Sequence, residues 1–148
     1  MSLVRLSFLE KHRDVGLLIL RVGVGLAFML HGWPKISGGP EFWAKIGGAM
    51  GIVGISFAPT FWGFMAACSE FFGGLFLALG LFARPAAFFM AFTMLIATSM
   101  HITGGDGFNV FSHPLKMFFV FAGLIFSGPG RWSLDGLAGR SSKEEAKE

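Results

Sequence analysis

Long apolar stretches separated by short polar turns dominate the hydropathy pattern of this chain. Four of them have about the 17–25 residues that a helix needs to cross a bilayer. We place these spans at residues 15–33, 60–82, 83–103 and 108–128. The pattern predicts an all-α fold, a four-transmembrane-helix bundle, in one membrane domain that covers residues 1–148.

Two segments outside the spans have their own patterns. Between the first two spans, Glu41-Phe42-Trp43-Ala44-Lys45 resembles the start of an interfacial helix with aromatic anchors. The apolar, glycine-rich residues 46–58 are too short to cross, which favours a short interfacial or re-entrant segment. Residues 136–148 are polar and are predicted to form a disordered tail.

Composition and charge agree with a membrane protein. Only 14% of the residues are charged, against about 25% in soluble domains. The net charge of +3 comes from scattered cations without a basic stripe, which argues against nucleic-acid binding. Most of the cations instead flank the spans on one side, which the positive-inside rule makes cytoplasmic. Lys35 and Lys45 lie on the other side and weaken this bias without reversing it. We expect a multi-pass cytoplasmic-membrane (inner-membrane) protein with both termini inside; the flanking cations are Arg5, Lys11, Arg13, Arg84, Arg131 and Arg140.

The first span is not expected to be a cleaved signal peptide. It contains Arg21 and is followed by His31-Gly32-Trp33-Pro34-Lys35 rather than by a small-x-small cleavage site. Cys68 is the only cysteine, so no internal disulfide or C-x-x-C motif can form.

Ionisable residues inside the spans are the candidates for function. Glu70 lies near the middle of the second span, where a charge costs about 2.5–3.5 kcal/mol or more unless it is partnered. A stripe of small residues around Glu70 turns it toward another helix. Arg21, His101, His113 and Lys116 lie in the other spans. We therefore expect a polar interior shared by the four helices.

The candidate roles follow from side-chain chemistry. Glu70, His101 and His113 are assigned as proton-handling catalytic residues, since histidine titrates near neutral pH. The candidate ligand-binding residues are Arg21 and Lys116, which balance charge, and His31 and Lys35, which form the mouth of the site. A structural ion pair of Glu70 with Arg21 or Lys116 is an equally open interpretation. The spans carry no His-x-x-x-His or Glu-x-x-His spacing, so we expect no metal site.

Several motifs, in order along nearly the whole chain, resemble those of the DoxX family of small four-helix membrane proteins. The matching residues are Arg21-x-x-x-Gly25, His31-Gly32-x-x-Lys35, Glu70-x-x-Gly73-Gly74-x-x-Leu77-x-Leu79-Gly80-Leu81-x-x-Arg84 and Gly128-Pro129-Gly130-Arg131-Trp132-Ser133-Leu134-Asp135. The resemblance implies a four-helix fold and a link to redox physiology, because some relatives are subunits of a thiosulfate:quinone oxidoreductase. The wider group also contains a cargo receptor that is not an enzyme, so fold does not fix function.

The leading hypothesis is a membrane subunit or partner of an oxidoreductase, with a quinone or another small redox-active ligand in its outer half. The 19 Phe, four Trp and eight Met residues could supply an apolar pocket for a ring. The chain lacks haem, flavin and iron–sulfur motifs, so redox chemistry needs a bound ligand or a partner protein. The alternatives are a non-catalytic scaffold or assembly protein and a small-molecule transporter. Whether the protein forms a homo-oligomer stays open.

Overall fold

The computed structural model describes residues 7–145, with side chains for residues 9–139. Within this range it contains helices and no strands, and four of its helices are long and apolar enough to cross a membrane. The predicted all-α four-helix fold is thus confirmed. The helices are α1 (Arg13–Ile36), α2 (Gly39–Gly47), α3 (Pro59–Leu79), α4 (Ala83–Thr103), α5 (Phe108–Ser127) and α6 (Leu134–Glu145), with 3-10 helices at Ser7–His12 and Gly48–Val53.

The four long helices run antiparallel to their neighbours along the chain. Helix α3 packs between α1 and α4, and α4 packs against α5. The rings of Phe28 on α1 and Phe121 on α5 meet edge to face, with centroids 4.9 Å apart, and join the first of the four long helices to the fourth. We call the end where α1 begins and α5 ends the terminal end, and the opposite end the loop end.

Glycines bring α1 and α3 into close contact. A Cβ added at Gly25 would lie 2.6 Å from the backbone oxygen of Gly74. A Cβ added at Gly32 would lie 2.7 Å from the backbone nitrogen of Phe71. Because only residues without a side chain allow this approach, the small-residue stripe predicted for the second span is a helix-packing face.

The segment between α1 and α3 does not cross the bundle. Helix α2 packs along the start of α3, where Gly47 and Gly63 leave no room for a Cβ beside the partner backbone. The 3-10 helix Gly48–Val53 then contacts α4. This segment covers the groove between α3 and α4 at the loop end.

Several boundaries differ from the sequence-based prediction. Helix α1 runs from Arg13 to Ile36 rather than over residues 15–33, so it includes Lys35. Helix α3 ends at Leu79 rather than Phe82, because Gly80 adopts a left-handed conformation with φ +67°. The expected disordered tail, residues 136–148, is helical as far as Glu145, and residues 146–148 lie outside the described part of the chain. Its first turn is anchored, since Asp135 accepts hydrogen bonds from the backbone nitrogens of Phe82 and Ala83, both at 2.9 Å.

Candidate functional site

A buried ion pair lies at the α1–α3 contact. Lys35, one turn after Gly32, donates to Glu70 Oε1 at 2.7 Å. The Glu70 side chain is only 3% exposed and that of Lys35 is 24% exposed. The close approach at Gly32 lets the Lys35 side chain reach the carboxylate at mid-span. The expected partners of Glu70, Arg21 and Lys116, are therefore wrong, and the opposite charge comes from Lys35.

Helix α2 fixes the position of Lys35. The indole Nε1 of Trp43 donates to the backbone oxygen of Lys35 at 2.8 Å. The same oxygen also accepts from the backbone nitrogen of Gly38 at 3.2 Å, so the last turn of α1 is held both by the following turn and by α2. The Trp43 ring packs on Phe64 of α3, with ring centroids 4.8 Å apart. The segment after the first span thus holds the backbone of the last turn of α1 beside α3.

One oxygen of this pair is left without a hydrogen bond. Among residues 9–139, Glu70 Oε2 is buried and has no hydrogen-bond partner. The Lys35 ammonium makes no other hydrogen bond to the described side chains or backbone than the one to Glu70. A buried acceptor without a partner usually marks strain or a group that receives a ligand.

The Glu70–Lys35 pair borders a cavity of about 810 Å³ between α3, α4 and the α2 segment. Ligand pockets in proteins commonly enclose about 300–1,000 Å³. Most of the wall is apolar, with aromatic side chains along its whole length from Phe42 and Phe61 to Phe82. The polar or ionisable residues of the wall are Lys35, Lys45, Trp62, Cys68, Ser69, Glu70, Thr93 and His101.

Two further polar contacts lie in this wall, one beside Glu70 and one at the loop end. Thr93 of α4 donates its hydroxyl to Ser69 Oγ at 3.1 Å or to the backbone oxygen of Phe89 at 2.9 Å. His101 Nδ1 lies 2.7 Å from a carboxylate oxygen of Asp106 in the following loop. Carboxylate contact fixes the orientation of the imidazole. His101 is thus the candidate histidine that borders the cavity.

The expected convergence of the other candidates is wrong. His31, His113 and Lys116 have exposed side chains and do not line the cavity that contains Glu70. Residues three apart in α5, His113 and Lys116 do share a face, but that face points away from the buried interior. Sequence spacing gave their depth, whereas the rotation of each helix decides which way a side chain points.

Arg21 belongs to a separate cluster at the terminal end. It is 1% exposed and donates from Nη1 to the backbone oxygens of Leu77 and Ala78, at 3.2 and 2.8 Å. Its Nη2 donates to the backbone oxygen of Trp132. These α3 oxygens belong to the last turn of the helix, where a cation is favourable. Arg21 thus ties α1, α3 and the segment after α5 together.

Sequence reasoning missed three residues that complete these arrangements. Asp135 caps the first turn of α4, Asp106 orients His101, and Trp43 holds the backbone of Lys35. Asp135 lies in the last DoxX-like motif, and its place in that motif could have indicated a structural or functional role. The other two are ordinary loop and interfacial residues, and only their contacts reveal them.

The arrangement offers hydrogen bonding and charge within an apolar space. A hydrophobic ligand with a polar head fits such a wall, since the head meets Lys35 and Glu70 and the remainder meets aromatic side chains. Over the part of the chain that the structure describes, no group of three or more potential metal ligands occurs.

The chain is similar to known membrane proteins of one family. The DoxX family matches residues 16–103. An inner membrane protein, YqjF of Escherichia coli, is 33% identical over 134 residues, which cover 87% of this chain and 96% of that protein. An uncharacterised protein of Haemophilus influenzae is 34% identical over 133 residues, covering 86% and 93%. No solved structure matches the chain.

Proposed function

Because this chain belongs to the DoxX family and is an integral membrane protein, we propose that it binds a quinone or a similar small redox-active ligand in the Glu70 cavity. In this role it serves as a membrane subunit or partner of an oxidoreductase. The observation that carries the proposal is the Lys35–Glu70 pair in the wall of an apolar cavity of about 810 Å³.

Only the candidate residues that border the cavity keep a proposed role in ligand binding. Lys35 donates to a ligand oxygen and Glu70 exchanges a proton with the ligand head. His101, eight residues beyond Thr93 on α4 and so about 12 Å further toward the loop end, handles protons at that end of the cavity. The aromatic wall, which runs most of the length of α3, accommodates the ring and an apolar tail. Arg21, by contrast, is occupied by three backbone oxygens and has a packing role.

Ligand content and binding test this function. Protein extracted in mild detergent should carry a lipid-soluble quinone, detected by its ultraviolet spectrum and by mass spectrometry. Titration with a short-chain quinone should saturate, and Glu70→Gln should weaken the binding about tenfold or more. His113→Ala is the matched control, because His113 is exposed outside the cavity and should leave binding unchanged.

The outcome separates this function from a scaffold role. If Glu70 only sets helix packing, Glu70→Gln lowers the thermal stability while no quinone is carried or bound by the wild type. Recovery of a stable partner protein without any ligand would then favour the scaffold.

We also propose that both termini face the cytoplasm. Arg13, Arg84 and Arg131 all lie at the terminal end of the bundle, and the positive-inside rule places such an end in the cytoplasm. A green fluorescent protein fused to the C-terminus should fluoresce, and an alkaline phosphatase fused there should be inactive. An active phosphatase would show that the C-terminus lies on the opposite side of the membrane and would contradict this orientation.

A further inference from the structure

The cavity bordered by the Lys35–Glu70 pair is polar in one half and apolar in the other. The hydrogen bond between Ser69 and Thr93 shows which residues of the antiparallel helices α3 and α4 lie at the same level. Among the described residues, every polar or ionisable residue of the wall lies at this level or on its loop-end side. From this level to the terminal end, the wall consists of apolar residues alone: Phe72, Gly73, Phe76, Phe82, Pro85, Ala86, Phe89 and Phe92.

The apolar half of the cavity has the length and shape of a site for a hydrocarbon chain. Thr93 and Pro85 lie eight residues apart on α4, which corresponds to about 12 Å along the helix axis. The side chains of Phe72, Phe82 and Phe89 are exposed, so this half opens sideways to the bilayer. A chain longer than the apolar half can therefore continue into the surrounding lipid.

We propose that the cavity binds a head-and-tail ligand in one direction, with the polar head at the level of the Lys35–Glu70 pair and one apolar tail along the apolar half toward the terminal end. This inference rests on the proposed function and specifies its substrate class, a quinone-type ring that carries a hydrocarbon tail. Lys35 anchors the head. Its ammonium uses one of three N–H groups on Glu70 Oε1, and its side chain is 24% exposed, so a further N–H is accessible to a ligand oxygen.

Hydrogen bonding decides the direction of the head, because a polar atom buried without a partner is unfavourable. A head in the apolar half would find no polar side chain in the wall, whereas Lys35, Ser69 and Thr93 lie beside the other half. The indole Nε1 of Trp62 is buried without a hydrogen-bond partner among residues 9–139. It belongs to a residue seven positions before Ser69 on α3, about 10 Å further toward the loop end. Its unused donor thus also lies on the head side of the cavity.

The surroundings decide the direction of the tail in the same sense. At the loop end the wall contains Lys45, which is exposed, and His101, which contacts the exposed carboxylate of Asp106. A tail directed there would pass polar groups and meet water, where apolar surface is unfavourable. A tail directed toward the terminal end meets aromatic rings and then lipid.

Photolabelling of the full chain in lipid nanodiscs tests the direction. Two probes share one quinone ring and one hydrocarbon tail, and they carry a diazirine either next to the ring or at the end of the tail. Mass spectrometry then identifies the labelled residues. The head probe should label α3 near Cys68, and the tail probe should label residues 72–76 and 82–89. An excess of the unlabelled quinone should lower both labels about tenfold by mass action.

Phe89→Ala and Phe88→Ala form a matched pair of variants. The two residues are adjacent and exposed, and their rings contact each other with centroids 5.6 Å apart, but only Phe89 lines the cavity. Phe89→Ala should lower the competable tail label about threefold, the scale of one lost aromatic contact, and leave the head label unchanged. Phe88→Ala should keep both labels at the level of the wild type. Equal effects of the two substitutions would show that the tail does not pack on this wall and would overturn the inference.

The outcomes separate this inference from the function on which it rests. If the unlabelled quinone competes with neither probe, the proposed function itself is wrong. If it competes with the head probe while the tail probe labels residues 96–101, the function stands and the direction is overturned. The same holds if the tail probe labels the cavity wall no more than Phe126, an exposed residue of α5 outside the cavity. A tail-less quinone that competes as well at equal membrane concentration would overturn the substrate class. The labels on the wild type decide the direction even if Phe89→Ala does not fold.

Discussion

Glu70 is tolerated at mid-span because an ammonium reaches it from the end of another helix. Lys35 begins in the last turn of α1, and its flexible four-carbon side chain extends down the α1–α3 contact to Oε1. The partly exposed position of Lys35 limits its own desolvation, whereas Glu70 is fully buried. The charge of Glu70 therefore needs its ion-pair partner more than the charge of Lys35 does.

We predict that Lys35→Ala destabilises the protein chiefly through Glu70. Removing one partner of a buried ion pair leaves an uncompensated charge. The melting temperature in detergent should fall, and the same substitution in a Glu70→Gln background should cost less, with a coupling energy of about 0.5–3 kcal/mol. Lys116→Ala, at an exposed site, should leave the melting temperature unchanged. Equal losses in both backgrounds would show that the pair does not contribute to stability.

At the scale of helices, glycines decide how closely α1 and α3 approach. Hydrophobic attraction between helices is weak in lipid, so packing depends on close van der Waals contact. The contacts at Gly25 and Gly32 provide it, and they also set the rotation that directs Lys35 toward Glu70. The Lys35–Glu70 ion pair therefore depends on the close contact between α1 and α3.

Gly25→Ala should force α1 and α3 apart. The new Cβ would lie 2.6 Å from a backbone oxygen and 2.8 Å from a backbone nitrogen of α3, neither of which can move freely. We expect a loss of about 1–3 kcal/mol in stability, which is typical of overpacking, and a lower melting temperature. Gly23→Ala, two residues earlier on the same helix with nothing within 4 Å, is the control and should be neutral or slightly stabilising. Similar melting temperatures for the two variants would contradict this account.

At the scale of the molecule, the terminal end is closed by a network that crosses the whole sequence. Arg21 near the start of the chain bonds to Trp132 near its end, and Asp135 caps α4. Asp14 likewise accepts from the backbone nitrogen of Arg131 at 2.9 Å. The Asp135 bonds satisfy backbone nitrogens at the start of α4 that have no partners within the helix, and the other two hold backbone groups of the segment after α5. The segment after α5 is therefore part of the packed structure.

Arg21→Lys should loosen this end although the charge is kept. A planar guanidinium reaches oxygens on two separate segments at once, whereas an ammonium is a point donor on a flexible stem. We expect a lower melting temperature and faster limited proteolysis within α6. Arg13→Lys, the same replacement at an exposed site on the same helix, should behave like the wild type. Unchanged protease resistance in Arg21→Lys would contradict the role of the network.

The sequence could predict the helices because hydropathy is a local property. Runs of about 20 apolar residues correspond to one bilayer thickness, and they appear in the structure as α1, α3, α4 and α5. It also gave Glu70 as a buried charge, since the residue lies far from either end of its span. The α6 helix was missed because its polar composition resembles a disordered tail, while its anchoring at Asp135 is a long-range contact.

The candidate site could be predicted only in part. Glu70, Lys35 and His101 border one cavity, whereas His31, His113 and Lys116 face outward although their depths were compatible with the same site. Depth follows from counting residues at about 1.5 Å each. Direction depends on how each helix is rotated against its neighbours, which the pattern of a single helix fixes only where small residues mark a close contact.

The sequence by itself determined that the protein is a bundle of membrane helices with charged groups inside it, because the length and polarity of each stretch are set by the bilayer. The tertiary structure alone decided which charges meet. Lys35 rather than Arg21 reaches Glu70, because the approach of α1 to α3 at Gly32 positions the lysine over the carboxylate, while the end of α3 and the Trp132 segment already occupy the arginine. Pairing depends on contacts between residues far apart in the chain, and no local pattern contains them.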